Sequence, residues 1–115
     1  MWPFRSNIFV TVTSIEPNYT GQAHFVVSSS ATGQSLFDQV TKTIGLRETW
    51  FFGLQYIDNS GYRTWLELDR KIMSQHLPKI KYNEDNQLKF ELRVKYYPWD
   101  VTDDIIQDMT LVFIL

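Results

Sequence analysis

Apolar residues along this 115-residue chain change period several times, and each change predicts an element. Ile8, Val10 and Val12 alternate with Phe9, Thr11 and Thr13, a β-branched pattern of period two that predicts a first strand. The stretch EPNYTG carries Pro17, Asn18 and Gly21 and reads as a turn, after which QAHFVVSSS returns as the second strand of an antiparallel hairpin. From Thr32 the period becomes helical. Leu36, Phe37, Val40 and Ile44 share one face, Thr32 stands at the N-cap, and Gly45 stands at the stop with Leu46 placed for the apolar contact that accompanies it.

Beyond the glycine, GLRETWFFGLQY reads as a strand with Trp50, Phe52, Leu54 and Tyr56 on one face and Phe51, Gly53 and Gln55 on the other. The wholly apolar first set is expected to pack under the helix, which leaves Phe51 on the opposite face as a candidate for contact with another lobe. DNSG, residues 58–61, predicts a turn, and YRTWLEL predicts the next strand, with Leu66 and Leu68 facing one way and Trp65 and Glu67 the other. A short helical turn is expected from Ile72 to Leu77, and PKIKYNEDN reads as a polar loop. The cleanest alternation follows: Leu88, Phe90, Leu92 and Val94 against Lys89, Glu91, Arg93 and Lys95, one dry face and one wet, charged face. In WDVTDDIIQDMTLVFIL, Ile105, Ile106, Met109, Val112 and Phe113 fall at helical spacing behind Asp103 and Asp104, which suit the positive end of a helix dipole.

The order strand, strand, helix, strand, strand, short helix, strand makes an α+β sheet with one main helix. Its best threading is the ubiquitin-like β-grasp, in which the last strand inserts beside the first, followed by a C-terminal helix. The expected division is an N-terminal tail over 1–6, the ubiquitin-like lobe over 7–97, and a linker with the start of a further helix over 98–115.

Composition narrows the function classes. Hydrophobic residues are 43% of the chain and aromatics 16%, enough for a compact core. Eleven Lys and Arg against thirteen Asp and Glu give a net charge of -2, so no global field draws in nucleic acid or an anionic surface, and any such contact must be local. There is no cysteine, which removes disulfides, thiolate metal sites and thiol catalysis. No apolar run approaches the ~20 residues of a membrane span. The N-terminus lacks the layout of a signal peptide, so the Asn18-Tyr19-Thr20 sequon reads as chance. His24 and His76 stand alone, without ligand spacing, and no metal or cofactor is expected. Asp103, Asp104 and Asp108 suit a helix terminus and its exposed face better than acid-base chemistry, and no nucleophile triad or phosphate loop is present. A non-enzymatic protein is expected.

The segments TGQSLFDQVTKTIGLRETWFFGLQY and GYRTWLELDRK, together spanning Thr32 to Lys71, and LKFELRVKYYPWDVTDDIIQDMT resemble the first lobe of the FERM domain and the opening helix of its second lobe, as found in the merlin and ezrin-radixin-moesin family. GLRETWFFGLQY is similar to both branches. The resemblance implies a ubiquitin-like lobe of a non-enzymatic adaptor or linker at the inner face of the plasma membrane or cell cortex. Such a protein binds phosphoinositides and the cytoplasmic tails of membrane proteins and connects them to cortical actin and other cytoskeletal proteins. A self-standing ubiquitin-like protein-interaction module is the alternative.

By the same resemblance, Arg70 and Lys71, with Trp65 nearby, are lipid head-group candidates, and Arg63, Lys79 and Lys81 extend the basic patch if the loops converge. Phe51, Trp99, Ile105, Met109 and Phe113 are the candidates for contact with another lobe or a partner. The chain departs from the family pattern in longer stretches at EPNYTG and KYNEDN, in the LVFIL ending, and at Glu67, where ezrin-like members carry a lysine. An anion in place of a cation weakens any phosphate contact there, leaving at most a weak phosphoinositide site.

Overall fold

The computed structural model describes residues 7–16, 19–78 and 87–96. Strand β1 (Asn7–Glu16) pairs antiparallel with β2 (Tyr19–Ser28) along its whole length, from Asn7 opposite Ser28 to Glu16 opposite Tyr19. The turn expected over EPNYTG is therefore shorter, because Tyr19, Thr20 and Gly21 already belong to the ladder.

Helix α1 (Gly33–Ile44) begins and ends where its caps dictate. The Thr32 hydroxyl accepts the Ser35 N–H at 3.2 Å. At the other end Gly45 adopts the left-handed conformation at φ +78°, which lets its N–H donate to Lys42 O and the Leu46 N–H to Thr41 O. Leu46 is buried, as the apolar partner of such a stop should be.

Three further strands complete the sheet: β3 (Phe52–Ile57), β4 (Arg63–Trp65) and β5 (Gln87–Val94). The order is β2-β1-β5-β3-β4, with β5 parallel to β1 and all other pairs antiparallel. α1 covers one face, where Val10, Leu36, Leu54, Ile72, Phe90 and Leu92 are the most completely buried side chains. The Tyr56 ring meets Phe90 edge-on at 5.8 Å in the middle of this core. The alternation of β5 holds: Leu88, Phe90 and Leu92 face the helix, while Lys89, Glu91 and Arg93 face away.

The aromatic run requires a correction. Trp50 is 63% exposed and Phe51 only 8%, the reverse of the faces assigned by strand alternation. Thr49–Phe51 form a 3-10 turn, with the Phe51 N–H on Glu48 O, and the strand starts only at Phe52. Successive side chains in such a turn rotate by roughly 120° rather than 180°, so both Phe51 and Phe52 reach the core and Trp50 is turned outward. The Phe51 carbonyl accepts from both Lys95 N and Tyr96 N, which fixes the turn against the end of β5.

Two other elements are shorter than the sequence pattern suggests. β4 ends at Trp65, where the chain turns under the helix start, and the helical turn expected over Ile72 to Leu77 is a single 3-10 turn, Ile72–Ser74, that buries Ile72. The expected C-terminal helix with Trp99, Ile105, Met109 and Phe113, the loop KYNEDN, and Lys79 and Lys81 lie outside the described residues.

Candidate functional site

The segment carrying Arg70 and Lys71 is fastened to the start of α1 by backbone hydrogen bonds. Gly33 N–H donates to Arg70 O at 2.9 Å, Gln34 N–H to Leu68 O at 2.8 Å, and Ile72 N–H to Ala31 O at 3.0 Å. A side chain at Gly33 would place Cβ 2.4 Å from Glu67 O, so only glycine permits this approach. With Ser35 N–H on the Thr32 hydroxyl and Leu36 N–H on Thr32 O, all four N–H groups of the first turn are engaged by the chain itself. An anion bound here would have to be held by side chains rather than by free helix amides.

Gln75 completes the clamp. Its amide accepts the Glu67 N–H and donates to Glu67 O, both at 2.9 Å, so one side chain satisfies both backbone groups of a residue that has left the sheet. Ser74 Oγ donates to Lys71 O at 2.7 Å. Neither role is written in the sequence pattern, because each depends on where the chain folds back.

The charges on this rigid segment largely cancel. Glu67 Oε2 lies 3.3 Å from Arg70 Nη1, an exposed pair of small energetic weight. Glu67 thus occupies one of the two retained cations as well as reversing the sign at its own position, and Asp69 adds a second carboxylate. Lys71 is exposed and has no carboxylate partner among the described residues. A shallow depression of about 570 Å³ beside the segment is lined by Gln34, Trp65, Leu68, Glu67, Asp69 and Lys95.

Arg63 belongs to a different surface, and Trp65 stands between the two, bordering the depression and the outer face of the sheet. Trp65 lies across Gly53 on the outer face of the sheet, beneath Lys95 Nζ at 5.3 Å from the ring centroid. Arg63 reaches Glu91 at 2.9 Å, and Arg93 reaches the same carboxylate oxygen at 3.1 Å. Partial burial pushes the Glu91 carboxyl up, but the two guanidinium groups outweigh it and hold the group below its ordinary value. Of the sequence-predicted cations among the described residues, then, only Arg70 and Lys71 come together at the helix start.

A hairpin, a single helix across one face, and a last strand inserted parallel to the first define the ubiquitin-like β-grasp class. Within that class the chain belongs to the FERM N-terminal domain family, whose model matches residues 17–77. It is 48% identical over 111 residues to the moesin/ezrin/radixin homolog 1 of Aedes aegypti, an alignment covering 95% of this chain and 18% of that protein. The solved complex of the FERM and C-terminal domains of Drosophila Merlin aligns with a TM-score of 0.76 at 32% identity, over 90% of this chain and 33% of that one. A structure from work on molecular mimicry of SUMO in DNA repair aligns at a TM-score of 0.50 and 13% identity, over 76% of this chain and 92% of that one, and shows the fold alone. The chain spans less than a fifth of the moesin/ezrin/radixin homolog. The family is one of membrane-cytoskeleton linkers.

Proposed function

We propose that this chain is the first-lobe part of a non-enzymatic membrane-cytoskeleton linker, with residues 7–97 as the ubiquitin-like lobe and 98–115 as the entry to a second lobe. The observation that carries the reading is the 48% identity to a moesin/ezrin/radixin homolog along nearly the whole chain. The linker works in the cytoplasm, at the inner face of the plasma membrane or cell cortex, and its partners are the tails of membrane proteins and cytoskeletal proteins. Exposed Trp50, rather than buried Phe51, is the aromatic available for contact with another lobe. Trp99, Ile105, Met109 and Phe113 remain contact candidates on the sequence pattern.

Arg70 and Lys71 make a weak phosphoinositide contact. The rigid backbone beneath them supports it, while the Glu67 to Arg70 pair and the engaged helix amides oppose it. Trp65, whose ring is packed between Gly53 and Lys95, borders the depression beside this segment. Co-sedimentation with vesicles containing phosphatidylinositol bisphosphate tests the reading. Glu67→Lys changes the local charge by two units and frees Arg70, so membrane-bound protein should rise roughly tenfold in binding constant. Equal sedimentation of the two proteins would remove the lipid role from this segment.

A further inference from the structure

The outer face of the sheet, opposite α1, concentrates positive charge that the whole chain does not have. Arg63, Lys89, Arg93 and Lys95 lie on it with Glu91 as the facing carboxylate among the described residues, against a chain net charge of -2. The face is also concave. A trough of about 390 Å³ crosses it from Gln22 on β2 through Thr13 on β1, Lys89 and Glu91 on β5 and Gln55 on β3 to Arg63 on β4. It runs across all five strands, which at the usual strand spacing is about 19 Å, the length of roughly six extended residues.

We infer that this trough is a docking site for an extended acidic peptide segment of a partner protein, lying across the strands. Three features select that occupant. Lys89 stands at mid-trough with Arg63 at its β4 end, so two cations are separated along the track of a chain whose carboxylates are likewise spaced. The amides of Gln22 and Gln55 offer donors and acceptors suited to peptide backbone groups. Glu91, between Arg63 and Arg93 and accepting from both, stands at the centre of the cationic cluster. A compact, multiply charged phosphate centred there would face a carboxylate, whereas spaced carboxylates can flank it. The surface is separate from the Arg70 and Lys71 segment, so this inference stands apart from the lipid reading.

Titration of the isotope-labelled 115-residue chain, followed by amide NMR shifts, tests it. The probe is a hexapeptide of Glu-Thr repeated three times, with the Lys-Thr hexapeptide as control. Saturable shifts are expected at Thr13, Gln22, Gln55 and Lys89 with the acidic peptide alone. Lys89→Glu, an exposed position, should weaken binding about tenfold with the rest of the spectrum unmoved, while Lys71→Glu should leave it unchanged. Glu91→Gln should tighten it by releasing two guanidinium groups. The inference is overturned if Lys89→Glu binds as well as the wild type, if the shifts fall on Arg70 and Lys71 instead, or if inositol trisphosphate or anionic vesicles bind the trough in preference to the peptide. It is equally overturned if the longer FERM region covers these residues and abolishes the response.

Discussion

Trp50 and Phe51 are neighbours in sequence with opposite fates, and the difference lies in one 3-10 turn. Substituting each by alanine separates them. Phe51→Ala removes a large side chain from a packed core and should cost about 3–5 kcal/mol, whereas Trp50→Ala should change stability by less than about 0.5 kcal/mol. Urea denaturation of both variants is the measurement, and a larger cost at Trp50 than at Phe51 would restore the alternating strand. Gly33 and Gln75 act at the same scale, one by lacking a side chain where α1 meets Glu67 and the other by pairing with both backbone groups of Glu67. Neither stands out in the chain, because each is made necessary by where the backbone at Glu67 comes to lie.

At the scale of elements, the β3–β4 hairpin shows how a turn residue controls register. Asp58 Oδ1 accepts the N–H groups of Ser60 and Tyr62, Oδ2 accepts the Thr64 hydroxyl, and Gly61 takes a positive φ of 90°. The Tyr62 N–H above all, with the Ser60 N–H and the Thr64 hydroxyl, holds the Asp58 carboxyl below its ordinary 3.8, and the arginines do the same to Glu91, whose ordinary value is 4.5. Both groups have folded pKa values below the unfolded ones. The stability they add is therefore complete above the unfolded values and is lost as pH falls through the folded ones. Thermal melts should show the transition temperature dropping below about pH 4.5. Asp58→Asn should flatten part of that slope, and an unchanged slope would remove Asp58 from the account. DNSG announced the turn; the three-way use of one carboxylate needed Thr64 to return beside it.

Across the whole molecule, the parallel pair of β1 and β5 joins the two ends of the described chain at the centre of the sheet, while β4 holds only three residues at an edge. Hydrogen exchange should accordingly be slowest in β1 and β5 and fastest among the strands in β4, and comparable protection of β4 and β5 would contradict this ordering. The sequence determined much of this by itself. Period two in β1 and β5, period 3.6 in α1, and the Thr32 and Gly45 caps are local consequences of side-chain geometry, and together they specify the elements and the β-grasp threading. Tertiary structure decided what local pattern cannot carry: the 3-10 turn that reverses Trp50 and Phe51, the early end of β4, and the gathering of Arg63, Lys89, Arg93 and Lys95 on one concave face. Each of these depends on contacts between residues brought together only when β5 inserts between β1 and β3 and the chain after β4 folds beneath α1. Long-range closure, unlike periodicity, leaves no regular mark along the chain.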